Sequence, residues 1–408
     1  MRTFSATLTL LLIGGTVATA QQPARDQTSC SPIETRAPNG KTQRPAFAGQ
    51  TRICSVKSSP AFEVVVVAKG LDHPWSVEPL PGGDLLVSER TGQLRVVTAA
   101  GKIGEPITGL PAVDDRGQGG LLDLALSPTF AEDRTIFWSY SEPREGGNAT
   151  SVARGVLAAD RASVTEVKVI MRAMPTYDGG AHFGSRLAFG KGGMLFITLG
   201  ERSDSPMRPQ AQQLESDMGK ILRIAPDGSI PPDNPFVGRD GARGEIWSVG
   251  HRNVQAAAID SLGRLWEVEH GTRGGDELNL VARGKNYGWP IIAYGIEYSG
   301  GPINGGITAK DGLEQPVYYW DPVIAPSGAQ FYSGKAFPQW EGSLFIGSMV
   351  QERLVRLTIE NDRVTGEEHL LVDRNKRIRD VREGPDGLLY VVTDEANGEL
   401  WKIAPRQM

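Results

Sequence analysis

One texture recurs through the chain and limits its fold more than any other feature. A glycine-containing turn is followed by a short apolar strand, a polar break and a second strand. "PGGDLLVSERTGQLRVV" begins at Pro81, "GKGGMLFITLGER" at Gly190 and "SLGRLWEVEHG" at Ser261. "WEGSLFIGSMVQERLVRLTI" begins at Trp340 and "GPDGLLYVVTDEANGELWKI" at Gly384. "SPTFAEDRTIFWSYSEP", from Ser127, is a degenerate sixth copy. The spacing averages about 60 residues, long for a propeller blade without loop insertions. No helical period competes with it. A single four-stranded unit leaves apolar faces uncovered, and radial stacking covers them and protects the edges. The expected fold is all-β: a six-bladed β-propeller with four-stranded antiparallel blades. It is preferred over a pair of β-sandwiches because the strand pairs recur from end to end.

The remaining sequence sets the boundaries. Residues 1–20 carry Arg2, a short apolar run and Ala18-Thr19-Ala20, the pattern of a secretory signal peptide. The expected location is periplasmic or secreted, and no later run is long and apolar enough for a membrane span. Residues 21–60 are polar and proline-punctuated, an irregular arm holding both cysteines. A Cys30–Cys54 disulfide is expected in an oxidising compartment. The propeller should occupy residues 61–408. Fifty glycines and 27 prolines fit so many turns, and a formal net charge of -5 without a basic run excludes a nucleic-acid partner. Oligomeric state is left between monomer and homodimer.

Four loops place unusual polar residues beside repeat strands. "GGAHFGSRLAFG" holds His182, one of five histidines, among small residues. A neutral imidazole there suits a general base, and a hydrogen-bonded core histidine is the plainer reading. Ser185 nearby suggests a Ser-His-Asp hydrolase, but no nucleophile elbow accompanies it. Gln118 lies in "RGQGGLLDLALSPTF". Arg252 and Asn253 offer a cation and an amide to an oxygen-rich ligand if the chain bends, and otherwise form a surface turn. "EHGTRGGDELN" spaces carboxylates with glycines, which suits either calcium or a solvated acidic turn. Arg377 and Arg379, two apart, share a strand face and suit a polycarboxylate, or form a basic edge.

Taken in order, "GLDHPWSVEPLPGGDLLVSER", "GQGGLLDLALSPTF", "HFGSRLAFG", "GKILRI", "GHRNVQ", "EHGTRGGDELNL", "GKNYGWP", "APSGAQFY" and "RIRDVREGPDG" resemble the glucose/sorbosone dehydrogenases. These are soluble aldose dehydrogenases dependent on pyrroloquinoline quinone (PQQ). The resemblance implies oxidation of an aldose sugar at C1 to a lactone, with hydride passing to PQQ and electrons then to an external acceptor. It implies His182 as base, with Arg252 catalytic near the developing charge. It implies cofactor contacts from Gln118, Arg252, Asn253, Trp320, Arg377 and Arg379. Carbonyls of Gly271 and Thr272 would hold the cofactor's calcium, and Glu277 with the Tyr287 carbonyl a second one. Well-known members carry a lysine in the loop that here reads "GSMVQER", where Val350 and Gln351 stand. Arg353 is the nearest cation. Ala181 precedes the histidine where some members have aspartate, which leaves Asp178 as candidate orienter of His182. Two other readings stay open: a calcium-dependent propeller lactonase, and a non-catalytic sugar-binding propeller.

Overall fold

The computed structural model describes Met1, residues 30–58 and residues 60–406. The signal-peptide pattern of residues 1–20 lies outside the described residues, apart from Met1. Six antiparallel sheets follow one another around a central axis. Blade 1 comprises Pro74–Pro79, Leu85–Glu89 and Gln93–Val97, and in place of a fourth strand a bridge from Val97 to Ile103 and the amides of Gly104 and Ile107 bond to the third. Blades 2 to 5 each have four strands, beginning at Leu121, Leu187, Val254 and Pro326. Blade 6 takes Ile378–Glu383, Leu389–Thr393 and Gly398–Pro405 from the C-terminal end and its outermost strand, Phe62–Leu71, from the start. The pairing runs from Phe62 opposite Pro405 to Leu71 opposite Gly398. First and last strands thus close the ring through backbone hydrogen bonds.

The recurring glycine turn joins the innermost strand of a blade to the second. Gly82, Gly192, Gly263, Gly342 and Gly387 all have φ between 70° and 99° there, a region that glycine enters without strain. The degenerate copy in blade 2 instead uses a one-turn helix, Phe130–Asp133, and loses the glycine. Apolar faces of adjacent blades stack into separate clusters. One, between blades 4 and 5, holds Trp266, Trp320, Ile346 and Val355.

Across the axis the inner strands are tied by charge. Arg186, 1% exposed, pairs with Asp123 at 2.8 Å and Asp380 at 3.1 Å. Its other nitrogens donate to the carbonyls of Gln255 and Arg379, and it lies 4.1 Å from the Trp75 ring. Blades 1, 2, 3, 4 and 6 therefore meet at one guanidinium. This network stands between two cavities. One, about 280 Å³, is lined by Glu78, Leu124, Leu187, Ala257 and Arg382. The other, about 370 Å³, holds most of the chemistry.

Residues 31–58 have no regular strand and run along blades 4 and 5. The amides of Asn39 and Gly40 donate to Asp321, Gln43 donates to the Gly295 carbonyl, and Ser58 caps Glu368. Neither cysteine is a free thiol. No described helix is long and apolar enough to cross a membrane.

Candidate active site

The 370 Å³ cavity opens at the ends of the inner strands. Its wall includes Gln118, Arg377 and Arg379, three of the residues expected at a cofactor, with Trp75, Arg90, Phe183, Gln255, His270 and Asp394. Arg379, 9% exposed, pairs with Asp394 at 2.8 Å, and Arg377 reaches the same carboxylate oxygen at 3.1 Å. Burial pulls the Asp394 carboxyl up, but the two guanidinium groups hold it down at about 2. Burial pushes Arg379 below the usual arginine value. Its Nε is buried with no hydrogen-bond partner among the described residues. The cavity thus has room for a flat, drug-sized molecule and unspent cationic donors on one wall. That is the donor set a buried tricarboxylate such as PQQ requires, so the residues present fit it.

His182 stands one residue behind this wall. It adopts φ 50°, and its backbone N–H donates to Gln118 Oε1 at 2.9 Å. Its Nδ1 meets Glu201 Oε1 at 3.1 Å, and Glu201 Oε2 accepts the Ser203 amide. The carboxylate fixes the Nδ1–H tautomer and leaves the Nε2 lone pair for a substrate proton. Burial, and then the charge of Arg252, lower the pKa of His182 below the ordinary histidine value. The ring is therefore neutral near pH 7, as a base must be.

Asp178 does not orient His182. It is a surface residue paired with Arg116 at 3.0 Å. Glu201 does, from the end of the strand Leu195–Thr198, and the glycines explain how. A Cβ on Gly184 would lie 2.6 Å from the backbone of Leu199, and one on Gly200 would lie 2.2 Å from the His182 carbonyl. The two segments abut because neither residue has a side chain. Gly184 thus gives clearance to the protein's own backbone while also lining the large cavity.

Arg252 and Asn253 depart from expectation. Neither is in the wall of the large cavity. Asn253 is fully buried and accepts the Gly184 amide at 3.1 Å, holding the histidine loop. Arg252 turns the other way. Its Nη1 donates to the carbonyls of His270 and Gly271, and its guanidinium lies 5.2 Å from the Trp289 ring. Trp320, expected at the cofactor, is instead in the core between blades 4 and 5. It is 4% exposed there, with Nε1 donating to Glu367. The position follows from its place on an outermost strand, far from the axis. Val350 lines the large cavity, while Gln351 and Arg353 face away. Arg353 donates to the Gln351 carbonyl and contacts His369.

Gly271, Thr272, Glu277 and Tyr287 do come together, around a small cavity of about 20 Å³ that also touches Arg252 and Glu269. This is room for one ion or water. Burial, and the charges of Glu269 and Glu267, raise the Glu277 carboxyl well above its ordinary pKa. The buried Thr272 hydroxyl has no partner among the described residues. A cation beside Glu277 fits these observations. The Gly271 carbonyl, expected to hold the cofactor's calcium, accepts a hydrogen bond from the Arg252 guanidinium.

Sequence reasoning passed over Glu201, Gln255 and Asp394, and gave His270 no role beyond that of a poor calcium ligand. Each ends or begins a repeat strand beside a motif, and that placement was the available signal. His270 donates Nε2–H to the Pro326 carbonyl, and burial holds its pKa at about 3, so it stays neutral.

A family model described as Glucose / Sorbosone dehydrogenase matches residues 71–402. The aldose sugar dehydrogenase YliI of Escherichia coli (strain K12) is 47% identical over 356 residues, covering 86% of this chain and 95% of that protein. The crystal structure of the soluble aldose sugar dehydrogenase of Escherichia coli, in the apo-form, superposes with a TM-score of 0.82. It is 45% identical and covers 85% of this chain and 100% of its own. The PQQ-bound form of the aldose sugar dehydrogenase of Streptomyces coelicolor gives a TM-score of 0.69 at 31% identity, covering 85% and 100%.

Proposed function

The chain belongs to the glucose/sorbosone dehydrogenase family, and from that premise we propose that it is a PQQ-dependent aldose dehydrogenase that oxidises a sugar at C1 to the lactone. The observation that carries the proposal is the pairing of a cation-walled cavity with a neutral, carboxylate-oriented histidine at its edge. Bound in the cavity, PQQ would supply an electrophilic quinone that accepts the two electrons of the sugar C1–H bond.

The chain's own residues do the rest. Arg377 and Arg379 would bind cofactor carboxylates, and the unpartnered Arg379 Nε is the donor that lacks an acceptor without one. Trp75 supplies a flat apolar wall. His182 Nε2 removes the hydroxyl proton as the C1–H bond breaks, and Glu201 stabilises the imidazolium that forms. Gln118 holds the histidine backbone in its left-handed conformation. Arg252 lies close enough to His182 to lower its pKa, and acts on its basicity. Glu277 and Tyr287 would hold a structural calcium in the small cavity. The amino-terminal pattern supports an exported enzyme, periplasmic or secreted, that passes electrons to an external acceptor.

The test is reconstitution of the protein with PQQ and calcium, an artificial acceptor and a panel of aldoses. Turnover with bleaching of the quinone spectrum is expected. His182→Ala should retain PQQ and lose about 10²- to 10⁴-fold in kcat. Absence of both turnover and spectral change on adding sugar would overturn the reading.

A further inference from the structure

Behind the small cavity, on the inner side of blade 4, is a group of side chains that the dehydrogenase reading leaves unused. His251 and Glu267 are fully buried, and Glu269 is 4% exposed. Their ligand atoms lie within 4.8 Å of one another. Glu267 and Glu269 project from the same face of the strand Leu265–Glu269, because they are two residues apart. Asn279 stands directly across from Glu267 on the neighbouring strand. It donates Nδ2–H to Glu267 Oε1 at 2.7 Å.

The distances lie within ion-pair range but are too long for hydrogen bonds. His251 Nδ1 is 3.5 Å from Glu267 Oε1 and 3.6 Å from Glu269 Oε1. Good N–H···O bonds lie at about 2.7–3.2 Å. Two ligands on one tetrahedral metal ion, each about 2.0–2.2 Å from it, stand about 3.3–3.6 Å apart. Three buried polar atoms here have no hydrogen-bond partner among the described residues: His251 Nδ1, Glu267 Oε2 and Asn279 Oδ1. His251 Nε2 is taken by Ser248 Oγ at 2.8 Å, which leaves Nδ1 as the free ligand atom. Tyr287 stacks on the imidazole at 4.8 Å and holds its plane. Carboxylates outnumber the cationic groups around it, even with His251, whose charged form Glu267 and Glu269 favour. Glu267, Glu269, Asp276 and Glu277 are crowded together, with Arg252 the nearby guanidinium.

We propose that His251, Glu267 and Glu269, with Asn279 beside them, bind one divalent transition-metal ion of the zinc or manganese kind. An imidazole with carboxylates selects such an ion over calcium, which takes oxygen ligands. The ion's role is structural. Glu269 Oε2 accepts the backbone amides of Arg252 and Asn253, so a metal on Oε1 anchors the loop that carries both.

The full-length protein, stripped with a chelator and reloaded without PQQ, tests this directly. One equivalent of zinc per chain should survive gel filtration in the presence of millimolar calcium. Cobalt loaded in its place should give visible d–d bands of a nitrogen- and oxygen-ligated ion. His251→Gln and Glu267→Gln should each retain less than a tenth of the zinc. Retention of no zinc by the parent protein, displacement by calcium, or full retention by both variants would overturn the proposal. Should the variants fail to fold, the cobalt spectrum of the parent protein decides, and its absence overturns the proposal. No readout involves quinone or sugar, so the outcome is independent of the dehydrogenase assay.

Discussion

The most consequential contact in the site is a single hydrogen bond, from His182 Nδ1 to Glu201. It decides the tautomer of the base, and it opposes the burial and the Arg252 charge that make the ring hard to protonate. With the pKa lowered, the base form persists below the ordinary histidine value of about 6.5. The acid limb of the kcat/KM profile should therefore lie below pH ~6.5, with activity lost as pH falls through it. Glu201→Gln removes the negative charge that favours protonation. The limb should move to still lower pH while kcat falls about 10- to 100-fold for want of orientation, with KM little changed. A pH–rate series on both proteins checks the two effects separately. Asp394 makes a second residue-scale case. Its carboxyl sits at about 2, below the ordinary carboxylate value. The sign is that of a depressed acid: the stabilisation is complete above pH ~4 and is lost as pH falls toward 2, and it amounts to about 2 kcal/mol. Asp394→Asn should lower the melting temperature of the cofactor-free protein, and added PQQ should recover part of that loss by giving Arg379 a new anion. Melting curves with and without PQQ measure this.

At the scale of elements, the active site is a junction of strand ends. The loop carrying His182 and the end of the strand Leu195–Thr198 touch because Gly184 and Gly200 face one another's backbones. Gly200→Ala would place a methyl 2.2 Å from a carbonyl oxygen, and nearby backbone must shift to admit it. Overpacking of this kind costs about 1–3 kcal/mol. The displacement should also separate His182 from Glu201, so kcat should fall more than stability alone explains. Comparing thermal melts with kcat for the variant checks this. The blade 4 hairpin shows the same economy of placement. Cross-strand pairing of Glu269 with Glu277 and of Glu267 with Asn279 gathers acids that are up to ten positions apart. The local motif "EHGTRGGDELN" announced carboxylates but not which of them share a face.

For the whole molecule, the ring is held at its rim by the pairing of Phe62–Leu71 with Gly398–Pro405 and at its axis by Arg186. Removal of Arg186 would leave the buried Asp123 and Asp380 with Arg382 as their one remaining shared cation among the described residues. Breaking a buried pair in this way costs about 3–5 kcal/mol. Arg186→Met should therefore give a protein with a much lower melting temperature or none that folds, although Arg186 itself is not in the wall of the large cavity. Circular dichroism melts test it.

The amino-acid sequence by itself determined the all-β class, the six repeats and the glycine turns, because these depend on strand period and on backbone conformation within a few residues. It also located His182, Gln118, Arg377 and Arg379, and the group Gly271, Thr272, Glu277 and Tyr287, through short ordered motifs. Only the tertiary structure decided which side chains meet. It put Trp320 into an inter-blade core, turned Arg252 away from the large cavity and onto the Gly271 carbonyl, and chose Glu201 over Asp178 as the partner of His182. The physical reason is that a propeller's contacts across its axis and between blades join residues remote in sequence. Their selection rests on burial and charge compensation in three dimensions, and no local spacing records it.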